Sequence, residues 1–155
     1  MKTRTVALTF VALFVGVTMC FAAANPTLGI WKLNEAKSKL TPGLPKNTTV
    51  VYEAAGDNVK VTVDGTDKEG KTAHNEWAGK VDGKDYPVTG DPNSDTRSLK
   101  KVDDHTLHLT AKKGGKVTLS GQIVVSADGK TRTVTTKGTD SEGKKFTNIS
   151  VYDRQ

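Results

Sequence analysis

Apolar and polar side chains alternate with a period of two along most of the chain after residue 24. Val59, Val61 and Val63 alternate with lysine, threonine and aspartate, and segments 107–111 and 117–125 repeat this alternation. Successive side chains of a strand point to opposite faces of a sheet, so the alternation indicates strands with one buried face. No segment after residue 24 keeps an apolar stripe of helical period for three turns, and we therefore expect little helix.

Turn-forming residues separate these segments at nearly even spacing. Pairs such as Asp82-Gly83, Gly114-Gly115 and Asp128-Gly129 supply the positive φ angles that tight hairpin turns require. The pattern predicts ten strands, at residues 27–34, 48–54, 58–65, 72–80, 84–89, 96–102, 106–112, 116–126, 130–138 and 145–153. Short links favour sequential antiparallel neighbours, and closure of the sheet removes its exposed edges. We predict an all-β domain, an antiparallel up-and-down barrel of about eight to ten strands.

Two proline-bearing segments interrupt this regular pattern. Pro42, Gly43 and Pro45 lie between the first two predicted strands, where they exclude a long helix. We expect this segment to cross irregularly over one end of the barrel. Pro87 falls inside segment 84–89 and has no N–H to donate to a sheet ladder, so that strand is predicted to be weakly paired.

The start of the chain has the composition of a secretory signal peptide. Lys2 and Arg4 precede an apolar segment at 6–19, and three alanines follow it. We predict a cleaved signal peptide at residues 1–24, a single domain at residues 25–155, and a location in the periplasm or the extracellular medium. The apolar segment is shorter than the 20 or so residues that a membrane span needs, and no second one follows, so we expect no integral membrane association.

The single cysteine, Cys20, lies inside this segment and raises the alternative of a lipoprotein signal. Met19 precedes it, where lipoprotein signals usually carry glycine or alanine, and acylation of Cys20 is therefore disfavoured. Cleavage after Ala24 leaves a chain without cysteine. Such a domain depends for its stability on its core, because no disulfide can form.

The charge of the chain is basic but dispersed. Lys2 and Arg4 supply two of the six net positive charges, which leaves residues 25–155 with a formal charge of +4. Acidic residues are interleaved with the basic ones, and the one small basic cluster is at 112–116. A nucleic-acid site needs basic residues gathered on one face, preferably with exposed aromatic rings, so we expect no nucleic-acid partner.

No motif in the chain indicates catalysis, and we expect neither enzymatic activity nor a cofactor. His105 and His108 stand near two aspartates, but their odd separation on a strand sends them to opposite faces. The segment 91–95 has alternating Asp, Asn and Asp like a calcium loop. Thr96 and Val102 stand where an EF-hand requires glycine and glutamate, so this segment is predicted to be a polar turn.

Four residues are candidates for binding a ligand inside the barrel: Trp77, Tyr86, Arg132 and Tyr152. Each shares its alternation with apolar or polar neighbours that we expect to face inward. An inward Arg132 near Tyr152 would hold an anionic head group while aliphatic side chains line the tail. In the alternative, Trp77 and Tyr86 fill the core and Arg132 is exposed.

The first strand after the signal peptide, with Gly29 and Trp31, resembles the Gly-x-Trp opening strand of the calycins, the group of lipocalins and fatty-acid-binding proteins. Segment 148–154 resembles the final strand of the fatty-acid-binding branch. The resemblance implies that the tryptophan closes one barrel end and that a basic residue, Arg154 or Lys32, packs on its ring. The chain also resembles uncharacterised bacterial secreted proteins that share a Trp-Lys-Leu-Asn opening.

Two departures weaken the transfer of lipid binding from that group. Fatty-acid-binding proteins carry a two-helix lid after the first strand, and segment 35–47 is too short and broken for it. They also carry an inward arginine two residues before the final tyrosine, and Ser150 stands at that position here.

The leading hypothesis is a secreted or periplasmic lipocalin-like protein that binds a small hydrophobic or amphipathic ligand. The alternative is a non-enzymatic interaction module of the cell envelope, a filled barrel whose loops at 41–46 or 90–95 contact another protein. An outer-membrane barrel is disfavoured, because outward faces rich in lysine, threonine and aspartate do not suit lipid contact. The oligomeric state stays open.

Overall fold

A computed structural model describes residues 25–140 and 142–155 of the chain. These residues form ten strands, β1 (Gly29–Leu33), β2 (Lys46–Ala55), β3 (Asn58–Thr66), β4 (Thr72–Gly79), β5 (Tyr86–Thr89), β6 (Thr96–Lys101), β7 (Thr106–Lys113), β8 (Lys116–Val125), β9 (Thr131–Thr139) and β10 (Lys145–Arg154). Each strand pairs antiparallel with the next, and β1 pairs with β10 to close the barrel. The predicted all-β up-and-down barrel is confirmed. The predicted signal peptide lies outside the described residues.

Alternate side chains of the strands face the interior and form one core. The largest fully buried side chains are Trp31, Trp77, Leu99, Ile123 and Val125. These residues come from four different strands spread round the barrel, so the core depends on closure of the whole barrel. Burial of apolar surface is the main favourable term for such a fold, at about 25 cal/mol per Å².

The two ends of the barrel differ in how well they are sealed. At the end where β1 begins and β10 ends, which we call the closed end, Trp31 is fully buried. Along β9 the inward side chains become more exposed with distance from it, from Arg132 at 4% to Val134 and Thr136 at 9% and then to the half-buried Gly138. We call the opposite end the open end.

β5 is the weakest part of the sheet. Only Trp77 and Glu76 of β4 pair with it on one side, and only two pairs join it to β6. Pro87 has no N–H and occupies the second position of this four-residue strand. The indole Nε1 of Trp77 donates to the carbonyl oxygen of Arg97 on β6 at 2.8 Å, which links β4 to β6 beside the short strand.

The connection between β1 and β2 is irregular, as the prolines indicated. A short 3-10 helix, Glu35–Lys37, begins after the capping residue Asn34. The chain then follows β10, where Lys39 forms an isolated bridge with Ile149 and the N–H of Thr41 donates to a side chain of that strand. No helix in the described part of the chain is long and apolar enough to cross a membrane.

Candidate ligand-binding site in the barrel interior

Arg132 of β9 faces the interior of the barrel and is only 4% exposed. Its guanidinium carbon lies 4.6 Å from the ring centre of Tyr52, 5.2 Å from that of Tyr152 and 5.9 Å from that of Trp31. The rings come from β2, β10 and β1, and pairing of these strands brings them round one cation. Arg132 is therefore buried, contrary to the alternative in which it is exposed.

Two nitrogens of this guanidinium, Nε and Nη1, are buried and have no hydrogen-bond partner among the described residues. An arginine presents five N–H donors and is always charged. Leaving a buried charged group without partners costs several kcal/mol, whereas a desolvated cation–π contact contributes about 2 kcal/mol. The site can therefore bind a hydrogen-bond acceptor, and an anionic acceptor would also neutralise the charge.

Tyr152 does not supply a negative charge to Arg132. Its hydroxyl donates to the backbone carbonyl of Asn47 at 3.1 Å. Burial raises the pKa of Tyr152, which more than offsets the opposite effect of the nearby guanidinium. The phenol is therefore neutral at physiological pH, and it contributes an aromatic ring and a hydrogen-bonded hydroxyl to the site.

A second arginine, Arg97 of β6, also faces inward. Its Nη2 lies 3.4 Å from a carboxylate oxygen of Asp91 and 3.3 Å from the side-chain oxygen of Asn75. Burial lowers the pKa of Arg97, and the attraction of Asp91 acts in the opposite direction. Asp91 also accepts from the Ser94 hydroxyl. Arg97 thus has a counter-charge within the described structure, and Arg132 has none.

Arg97 was not predicted as a site residue, although it alternates with Leu99, which lies in the core. Arg97 and Leu99 lie two residues apart and share the inward face of β6. Its strand, β6, is short and contains two lysines, so nothing in the sequence indicated that the arginine side chain faces inward. The turn at 91–94 that neutralises Arg97 was predicted as a polar turn, and its role in the interior becomes visible only in the structure.

Trp77 and Tyr86 form a separate pair on β4 and β5. Their ring centres are 6.0 Å apart and the rings are perpendicular. The Tyr86 ring fills the space beside Gly79, where an added Cβ would meet it at 2.5 Å. The Tyr86 hydroxyl donates to Asp82 at 3.1 Å. Of the four predicted ligand-binding residues, the structure brings Arg132 and Tyr152 together and places Trp77 and Tyr86 at the β4–β5 seam.

At the closed end a second arginine lies against the Trp31 ring. The Arg154 guanidinium lies 4.5 Å from the ring centre of Trp31 and donates to the backbone carbonyls of Gly129, Leu28 and Pro26. Lys32, the other predicted partner of Trp31, is exposed. Trp31 itself donates from Nε1 to the carbonyl of Thr27 at 3.1 Å.

Gly29 is required at this end for two reasons. Its φ of +121° lies in a region that side chains disfavour, and an added Cβ would meet Nη1 of Arg154 at 2.7 Å. Arg154 therefore lies against both of the other predicted barrel-end residues, Gly29 and Trp31.

The histidines and the calcium-like segment do not assemble a metal site. His108 is exposed on the outer face, and His105 is hydrogen-bonded through Nδ1 to the carbonyl of Val125. Among the described residues, no group of three or more His, Cys, Asp or Glu side chains is placed to hold a metal ion. Asp91 instead accepts from the backbone N–H of Asn93 within its own turn.

Two surface concavities are present, with volumes of about 340 and 400 Å³. The first lies at the open end between β8, β9 and β10, and the second lies on the outer wall of β7, β8 and β9. Neither is lined by Arg132. Arg132 is only 4% exposed and its Nε and Nη1 are buried, so side chains fill the space around its guanidinium in this conformation.

Comparison with solved structures shows the fold. A fatty acid binding protein of Schistosoma mansoni, solved in complex with arachidonic acid, is similar with a TM-score of 0.51 and 18% identity, over 84% of this chain and 96% of that chain. A redesigned β-barrel matches with a TM-score of 0.45 and 14% identity, over 86% of this chain and 95% of that chain. No protein-family model and no curated protein matches. The chain has a fatty-acid-binding-protein-like barrel.

Proposed function

We propose that this protein is an exported binding protein that holds a small amphipathic ligand inside its barrel, with an anionic head group on Arg132. The observation that carries the proposal is the buried guanidinium with two unpartnered nitrogens among three aromatic rings. A carboxylate or sulfonate oxygen would satisfy those donors and neutralise the charge.

The interior supports one orientation of such a ligand. Arg132 lies near the closed end, and the exposed fraction of inward side chains rises toward the open end. Apolar side chains of several strands, Val61, Val63, Ile123 and Val134, lie along the interior between them. A ligand that arrives from the open end therefore places its head group deepest and its apolar tail along these residues. The surrounding rings must move to admit it, because they fill the space in the present conformation.

The first test is native mass spectrometry of the protein purified gently from its export compartment. We expect a discrete added mass that is released on denaturation and identified as a monoanionic amphiphile. Binding of dodecanoate and of neutral dodecanol is then compared for the wild type, Arg132→Met and, as a control for loss of one positive charge, Lys130→Met on the exposed neighbouring turn.

The proposal predicts that Arg132→Met weakens dodecanoate binding by at least about tenfold, equivalent to 1.4 kcal/mol, while dodecanol binding is little changed. Lys130→Met is expected to resemble the wild type. Equal affinities of the wild type and Arg132→Met for dodecanoate would contradict the role of Arg132, and an absence of binding to either amphiphile would contradict the carrier proposal itself.

A second candidate function has one observation in its favour. Both described concavities lie outside the core, which is what a filled barrel acting as a protein-interaction module would show. In that case the purified protein carries no added mass and ignores hydrophobic probes. Its partners would then be sought at the loops 41–46 and 90–95.

A further inference from the structure

The open end of the barrel carries a groove between two neighbouring hairpins, β7–β8 and β9–β10. Because β8 and β9 are paired, the tips of both hairpins lie side by side at this end. The groove has a volume of about 340 Å³ and is lined by Val117, Thr118, Leu119, Ser120, Lys137, Gly138, Thr139, Lys145, Phe146 and Thr147. We call it the rim groove.

Five exposed lysines surround the rim groove: Lys113, Lys116, Lys137, Lys144 and Lys145. None of them forms an ion pair within the described part of the chain. The acidic side chains of the same hairpins and the facing turn are Glu142, Asp140 and Asp95, and the last two accept hydrogen bonds from backbone N–H groups of the hairpins. The patch therefore carries an excess of positive charge.

The loops at the closed end are more acidic. They hold six aspartates and three lysines: Asp57, Asp82, Asp85, Asp103, Asp104, Asp128, Lys80, Lys84 and Lys130. The excess of positive charge is local to the β7–β8 and β9–β10 hairpins, because neighbouring loops at the open end also carry acidic residues such as Asp67, Glu69 and Asp91. The small basic cluster at 112–116 gains a second set of lysines from β9 and β10 only through the topology.

The rim groove also contains apolar surface. Val117 is 58% exposed, which is unusual for a valine in a strand, and the half-buried Phe146 ring lies against Gly138 in the groove. Hydroxyl groups of threonine and serine complete the lining. Exposed apolar residues within a ring of lysines are typical of surfaces that rest on the interface of an anionic membrane.

From this juxtaposition we infer that the rim groove is a docking site for anionic phospholipid headgroups at a membrane surface. The lysines attract the negatively charged leaflet, and Val117 and Phe146 contact its interfacial region. An extended nucleic-acid or polyanion site fits less well, because it gains nothing from an exposed valine that lines the groove. The inference rests on the outer rim alone and does not depend on a ligand at Arg132.

The test uses residues 25–155, which contain all ten strands and the complete core, so that the apolar N-terminal segment does not contribute. Co-sedimentation is measured with vesicles of phosphatidylcholine alone and of phosphatidylcholine with 30% phosphatidylglycerol, at low and at high salt. The rim variant is K113Q/K116Q/K144Q/K145Q. The matched control, K80Q/K84Q/K100Q/K130Q, removes the same charge away from the rim groove. Val117→Asn tests the apolar contact.

We expect binding to the anionic vesicles only, with an affinity reduced at least about tenfold by the rim variant and by high salt, since each lysine near an anionic surface contributes severalfold to the partition. The control variant is expected to keep most of the binding, and Val117→Asn to weaken it. Equal loss in the rim and control variants, equal binding to both vesicle types, or binding of soluble polyphosphate with no binding to vesicles would overturn the inference.

Discussion

Two arginines lie against the Trp31 ring, and they differ in their hydrogen bonds. Arg154 donates to three backbone carbonyls, whereas two nitrogens of Arg132 have no partner in the described structure. The two arginines thus serve different purposes. Arg154 closes the barrel, and Arg132 leaves donors in the interior that only an added group can use.

This difference predicts opposite effects of the same substitution. Arg154→Met is expected to lower the free energy of unfolding by about 3 kcal/mol, because it removes charged hydrogen bonds and leaves buried carbonyls unpaired. Arg132→Met is expected to leave the ligand-free protein as stable as the wild type or more stable, because it removes an uncompensated buried charge. Urea denaturation measures both, and Lys130→Met is the control. A large loss of stability in Arg132→Met would contradict this prediction and show that Arg132 stabilises the folded barrel.

At the scale of single elements, the seam around β5 depends on ring packing rather than on ladder hydrogen bonds. No side chain fits at Gly79, because an added Cβ would lie 2.5 Å from the Tyr86 ring and 2.7 Å from the Trp77 ring. The rings therefore compensate for a strand that pairs through two residue pairs on each side.

Gly79→Ala is expected to destabilise the barrel by about 1–3 kcal/mol, since the added methyl group forces these rings out of their positions. Thermal or urea unfolding measures the loss, and the near-ultraviolet circular dichroism of Trp77 reports the displaced ring. Ala78→Ser, on the exposed face of the same strand, is the matched control. Unchanged stability and spectrum in Gly79→Ala would show that the seam is loosely packed.

The outer faces of β3 and β4 carry a pH-sensitive pair. The Nδ1 of His74 lies 2.6 Å from a carboxylate oxygen of Asp64, and this hydrogen bond raises the pKa of His74 above 6.5. Glu76 acts in the same direction. A raised pKa in the folded state means that the stabilisation is fully present below pH 6.5 and is lost as the pH rises through the folded value.

Titration of the His74 ring protons by NMR should therefore give a pKa above that of a free histidine, and Asp64→Asn should lower it. The pair is on the surface, so a small effect on stability is expected. A His74 pKa that is unchanged by Asp64→Asn would contradict the hydrogen-bonded pair.

At the scale of the whole molecule, the residues just after the predicted cleavage site belong to the barrel. The carbonyl of Thr27 accepts from Trp31, and that of Pro26 accepts from Arg154. Thr27 is only 4% exposed although it precedes β1. A domain that starts at Asn25 keeps these contacts, and one that starts a few residues later loses them.

Removal of residues 25–28 is accordingly expected to lower the free energy of unfolding by about 2–4 kcal/mol, through the loss of one neutral and two charged hydrogen bonds and of their packing. The comparison is made between chains 25–155 and 29–155, with 23–155 as a control that lengthens the chain instead of shortening it. Equal stability of all three would show that the closed end is sealed without these residues.

Much of the fold could be predicted from the sequence because each strand is bounded by its own turn chemistry. Val59, Val61 and Val63 alternate strictly, and glycines such as Gly83 and Gly129 mark the reversals with positive φ. The alternation of Arg132 with Val134 offered an inward position for the arginine but left the exposed alternative open, and the structure decides between them. These are local signals, and local signals fix the strands and their sequential pairing.

The site could be predicted only in part, because its contacts cross the barrel. Tyr52 reaches Arg132 from β2, far along the chain, and no local pattern distinguishes it from other inward residues of its strand. The salt bridge between Asp91 and Arg97 likewise depends on where a turn folds against the interior. The grouping of lysines from the β7–β8 and β9–β10 hairpins required the pairing of β8 with β9.

The most direct test of the central claim is an NMR titration that follows the side-chain Nε–H of Arg132 in the chain of residues 25–155, with Arg132→Lys identifying the resonance. Addition of dodecanoate should shift this signal to saturation near one equivalent, with smaller changes at Arg154, and dodecanol should leave it in place. Saturable binding of dodecanoate with the Arg132 signal unmoved, or no binding at all, would contradict a head-group site at Arg132.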